Sequence, residues 1–158
     1  MLKSGDRAPP FELPDLEGRL WRLDGAPALV VFWKASCNTC HLAFPYLQRL
    51  AQAYPQDGWR LLAVSQDGPS ASRQFAQEVG LTLPLLIEGE GWPVSKQYDP
   101  EATPTLFFID EDGTIALTSV GFDKAELNEI ARRLAERLGV EPQEVAAQDD
   151  GNPFFKPG

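Results

Sequence analysis

The sequence predicts a mixed α/β domain, and three observations carry that prediction. An uninterrupted apolar run, Ala28 to Trp33, has the pattern of a central strand buried on both faces. The stretch after it spaces Ala43, Leu47, Leu50, Ala51 and Tyr54 three and four residues apart, which gives a helix with one core-facing stripe. Strand-like and helix-like segments then alternate as far as Gly139.

Each element has a local reason. Phe11-Glu12-Leu13 and Leu20-Trp21-Arg22-Leu23 flank the turn-forming Asp15-Leu16-Glu17-Gly18, so the chain opens on a β-hairpin, expected to cap a sheet edge. Pro45 falls inside the first helix and is expected to kink it. Trp59 to Val64 reads as a second buried strand. Ser70 to Val79 reads as a helix turning Phe75, Ala76 and Val79 inward, with Gly80 as its stop. Leu83 to Ile87 adds a strand whose Pro84 lacks a ladder donor, which places it at an edge or a bulge. A short helix fits Val94 to Tyr98. Thr105 to Ile109 and Thr114 to Val120, joined by Asp110-Glu111-Asp112-Gly113, form a second hairpin. Asp123 with Glu126 starts a last helix bearing Leu127, Ile130, Leu134 and Leu138. Residues 1–139 thus form one domain. Residues 140–158 are acidic and punctuated by Pro142, Pro153 and Pro157, so a weakly ordered tail is expected, with Phe154 and Phe155 as groups able to dock back on the domain or on a neighbour.

Composition narrows the function. The 158 residues are 43% hydrophobic and 23% charged, enough to bury one sizeable core. A formal net charge of −9 repels phosphate backbones and anionic membrane surfaces, so no nucleic-acid partner is expected. The longest apolar stretch, Ala26 to Trp33, falls far short of the roughly 20 residues that span a bilayer. No membrane insertion is expected. Met1 to Asp6 lacks the apolar core of a signal peptide, which points to a cytoplasmic protein, although a trimmed exported chain would look the same.

The chemistry lies in Cys37-Asn38-Thr39-Cys40, which holds the only two cysteines. Thiols at positions i and i+3 of a first helical turn face the same way and can close a small disulfide ring, storing and releasing two electrons. The first of them sits where unpaired backbone N–H groups and the positive end of the helix dipole favour a thiolate, the nucleophile of disulfide exchange. Cys37 is therefore the expected attacking residue and Cys40 the resolving one. A zinc site would need two more Cys or His ligands, and His41 is the only histidine, so neither a metal nor an organic cofactor is expected. Cys37 to His41 also matches the attachment sequence of c-type haem. The flanking buried strand offers no porphyrin pocket, and Met1 is the only methionine available as a second axial ligand.

Trp33-Lys34-Ala35-Ser36-Cys37-Asn38-Thr39-Cys40, the helix with Pro45, and Thr103-Pro104 ahead of an apolar strand together resemble a thioredoxin-fold protein. The opening Gly5-Asp6-Arg7-Ala8-Pro9-Pro10-Phe11 is similar to that of peroxiredoxin-like, AhpC/TSA-related and TlpA-like or ResA-like members. The 64 positions between Cys40 and Pro104 leave room for the extra βα unit those subfamilies insert. The resemblance implies a central mixed sheet flanked by helices. It also implies a thiol-disulfide oxidoreductase of the protein-disulfide reductase type, served by an upstream redox donor and acting on disulfide-bearing or dithiol proteins. Pro104 would be cis and lie against the sulfurs, Thr103 would offer backbone hydrogen bonds to a bound peptide, and Trp33 would wall the site. Lys34 and His41 are candidate modulators of the thiolate. A monomer is expected.

Departures from the family pattern matter. Val31 stands where thioredoxins carry a buried Asp, and Ala43 where ResA-like proteins carry a Glu, so the usual proton acceptors for Cys40 are missing. A peroxiredoxin-like peroxidase is the enzymatic alternative, but Lys34 occupies the position of its customary Thr. A non-enzymatic redox sensor that signals through the tail is the other.

Overall fold

The computed structural model describes residues 1–158. Strands β1 (Glu12–Pro14) and β2 (Leu20–Arg22) pair antiparallel as the expected opening hairpin. The buried Asp15 ties its turn, accepting hydrogen bonds from the backbone N–H of Glu17 and Arg19 and from Trp21 Nε1. A central strand, β3 (Ala28–Trp33), is buried along its whole length and leads into α1 (Asn38–Ala53). Then follow β4 (Arg60–Ser65), α2 (Pro69–Val79), β5 (Leu85–Ile87) and α3 (Pro93–Tyr98). The second hairpin comprises β6 (Thr105–Ile109) and β7 (Ile115–Val120), before the two-residue β8 (Phe122–Asp123) and the helix α4 (Lys124–Leu138).

The sheet runs in the order β5-β4-β3-β6-β7. β3 pairs parallel with β4 and antiparallel with β6, so the sheet is mixed. β5 is an edge strand beginning just after Pro84, so the missing donor costs the ladder nothing. Asp15 bridges Leu86 of that edge, which seats the opening hairpin where the sequence placed it. Because strand side chains alternate, β3 feeds two cores. Leu29, Val31 and Trp33 pack with α1, α2 and α4, while Ala28, Val30 and Phe32 pack with Tyr98 and Leu13 on the other face. This is the thioredoxin-like α/β arrangement. Pro45 faces solvent inside an unbroken α1. No helix is long and apolar enough to cross a membrane.

The segment 140–158 differs from the weakly ordered tail expected of it. Val145 and Ala146 are buried in the larger core, and both of their backbone N–H groups donate to Asn128 Oδ1. Lys124, fully buried at the start of α4, directs its Nζ to Ala147 O at 2.7 Å, Asp150 Oδ1 at 2.6 Å and Asn152 O at 3.2 Å. Asp150 also accepts from the Tyr46 hydroxyl of α1. Phe155 and Lys156 then form a short strand, β9, antiparallel to β8. The anchoring partners are polar groups on helices, so composition alone could not reveal them. The side chains of Phe154 and Phe155 remain about half exposed, while their backbones dock, Phe154 O accepting from Lys124 N at 3.0 Å and Phe155 pairing with Asp123.

Candidate active site

The end of β3 delivers the chain to α1 at Cys37, whose extended backbone and side chain cap the helix. Its Sγ accepts from the Cys40 N–H at 3.0 Å. As a thiol, Cys37 also donates to Thr103 O at 3.1 Å. Hydrogen bonding from the Cys40 side chain leads the lowering of the Cys37 pKa to about 6. Burial opposes it, and Thr103 and the backbone N–H groups of Cys40 and Thr39 assist. Cys40 behaves oppositely. It is fully buried, and that burial, reinforced by its bond to Cys37, pushes its thiol far up. The Thr103–Pro104 bond is cis, and Thr103, in the loop before β6, lies against Cys37.

A groove of about 460 Å³ opens in front of Cys37, lined by Lys34, Thr39, Thr103 and the tail residues Lys156, Pro157 and Gly158. Thr39 Oγ1 donates to Pro157 O at 2.8 Å. Gly158 lies so close to Thr103 that a Cβ on it would come within 2.6 Å of Thr103 O.

The AhpC/TSA family model matches residues 4–118. The chain belongs to the AhpC/TSA family. Within it, the chain is similar to the thiol-disulfide oxidoreductase ResA of Geobacillus thermodenitrificans, with 36% identity over 70% of this chain and 66% of that protein. ResA of Bacillus anthracis is 31% identical over 76% of this chain and 71% of its own length. In structure, a thiol:disulfide interchange protein DsbE described for Chlorobium tepidum superposes with a TM-score of 0.77 and 26% identity, covering 88% of this chain and all of that one. The chain thus spans just under two thirds of the length of the Geobacillus relative.

The fold brings Cys37, Cys40, Thr103 and Pro104 together. Trp33 goes elsewhere. It is completely buried, with ring centroids 5.0 Å from Phe44 and 4.5 Å from Phe75, so it lies under the site and offers no wall to a partner. The cause is strand parity, since Trp33 shares the inward face of Leu29 and Val31. Its Nε1 finds no hydrogen-bond partner. His41 is held down, with Nε2 at 3.1 Å from Ala35 O and its ring 4.6 Å from Phe75. Lys34 is exposed on the groove rim. Val31 and Ala43 sit in the same core cluster as Cys40, so the two acid positions of the relatives are apolar and buried here. No three His, Cys, Asp or Glu side chains converge as metal ligands. Cys40 has no surface from which to reach a porphyrin edge.

Sequence reading missed two contributors. Asp67 accepts from Ala35 N at 2.6 Å and so steadies the loop before Cys37. The tail residues 156–158 are the other, and nothing local in their sequence announces a contact with Thr39, 118 positions away.

Proposed function

We propose that the chain is a thiol-disulfide oxidoreductase in which Cys37 attacks a partner protein's disulfide and Cys40 resolves the product. One observation carries this reading. Two thiols one helical turn apart are driven to opposite ionisation, an anion at the groove and a protonated reserve behind it. The Cys37 thiolate attacks one partner sulfur, the partner's S–S bond breaks, and the second partner sulfur leaves as a thiolate. Cys40 then gives up its proton, to water or to that departing thiolate, and attacks Cys37 Sγ. The Cys37–Cys40 disulfide forms, the partner leaves as a dithiol, and two electrons have passed to it.

Thr103 and cis-Pro104 support the role of holding the partner segment beside the sulfurs. An upstream dithiol donor closes the cycle. The compartment's redox poise sets the net direction, and the chain acts as a monomer. Trapping tests the assignment. Cys40→Ser is expected to accumulate a partner joined through Cys37, whereas Cys37→Ser is expected to accumulate none. The opposite pattern reverses the two roles.

A further inference from the structure

We propose that the carboxy-terminal segment, residues 150–158, is a functional wall of the partner groove and that, with Lys34, it selects partner cysteines flanked by acidic residues. The inference rests on the oxidoreductase reading of Cys37 and adds the class of partner.

The segment is built into place. Asp150 is bound by the buried Lys124 and by Tyr46, β9 is hydrogen-bonded to β8, and Pro157 accepts from Thr39 inside the Cys37–Cys40 turn. Gly158 finishes against Thr103 and Ala102. The segment therefore shapes the space a partner must enter. It also sets the charge of that space. Lys34 and Lys156 carry the charged side chains lining the groove, and no Asp or Glu side chain lines it. Neither lysine is engaged in an ion pair.

A chain of net charge −9 thus places two lysines without an ion pair on the groove that holds its reactive sulfur. A Glu or Asp beside the partner's cysteine gains attraction to both in a partly desolvated groove. A Lys or Arg there meets repulsion. Neither lysine is among the groups that chiefly favour the Cys37 thiolate, so the effect falls on encounter and docking rather than on the sulfur's own nucleophilicity.

Matched short peptide disulfides with the cysteine flanked by Glu, Gln or Lys provide the test, each reduced by the full-length dithiol protein under single-turnover conditions. The expected order is Glu, then Gln, then Lys. A Glu-to-Lys ratio of about tenfold at low ionic strength should shrink toward one at high salt. Lys156→Glu should bring that ratio close to one, and Lys34→Glu with Lys156→Glu should invert it. Arg22→Glu makes the same charge change on the opening hairpin, outside the groove, and should leave the ratio as it was. Equal rates for the three peptides, or an Arg22→Glu effect as large as that of Lys156→Glu, would overturn the proposal. Failure to reduce any of the peptides would instead overturn the oxidoreductase reading itself.

Discussion

Cys37 and Cys40 occupy one helical turn, yet the helix start treats them as different acids. Cys37 collects donors: the Cys40 thiol, the backbone N–H of Cys40 and Thr39, and the Thr103 side chain. Cys40 is enclosed by apolar core, where ionisation loses hydration with little in return. With a Cys37 pKa of about 6, roughly nine tenths of the reduced molecules carry a thiolate there at pH 7. Alkylation of the reduced protein by a small neutral reagent is therefore expected to follow a midpoint near pH 6 at Cys37. Cys40 should stay unmodified until the protein unfolds. Peptide mass mapping across pH 4 to 9 checks both, and two thiols titrating together near pH 9 would show that the helix start confers no such asymmetry. This pair was legible in the sequence because its chemistry depends on a three-residue spacing and a strand-to-helix boundary, both local. Trp33 was not, because a continuous apolar run does not say which residue faces which core.

At the scale of elements, the sequence marked those whose stop signals are their own. Asp123 caps α4 through Glu126 N, and Gly80 and Gly139 end their helices in the left-handed region, as their positions foretold. β9 had no such mark, because its partners lie across the fold on β8, α1 and α4. Gly121, just before β8, is the joint on which it depends. Its φ of +80° is one that L side chains rarely adopt, and a Cβ there would lie 2.6 Å from Lys156 O and 2.9 Å from Gly158 N. Gly121→Ala must therefore strain the turn or lift β9 away. We expect a loss of about 1–2 kcal/mol in chemical denaturation. Amide exchange should quicken at 154–158 while β3 and β4 keep their protection. Unchanged exchange in the tail would mean that β9 is not held through this joint.

For the whole molecule, the asymmetry of the two thiols links redox state, protonation and stability. Below pH 6 the dithiol form holds a proton on each sulfur; above it, only Cys40 keeps one, and the disulfide form holds neither. Reduction should therefore take up two protons per two electrons in acid and one near neutrality. The midpoint potential should fall by about 59 mV per pH unit below pH 6 and by about 30 mV per unit above it. Stability follows from the same shifts, with signs fixed by direction. Cys37 has a folded pKa below the thiol's ordinary 9.0, so its contribution is fully present above pH 9 and is lost as pH falls through 6. Cys40 is shifted upward, so its contribution holds below pH 9 and fades above. Between pH 6 and 9 the Cys37 contribution alone changes, and the Tm of the dithiol form should climb relative to that of the disulfide form. Equilibration with a dithiol buffer of known potential from pH 5 to 8, with melting curves of both forms, measures the two effects together. A single slope near 59 mV throughout, with no pH-dependent gap in Tm, would mean that Cys37 keeps its proton at pH 7 and that attack must await a base the partner brings.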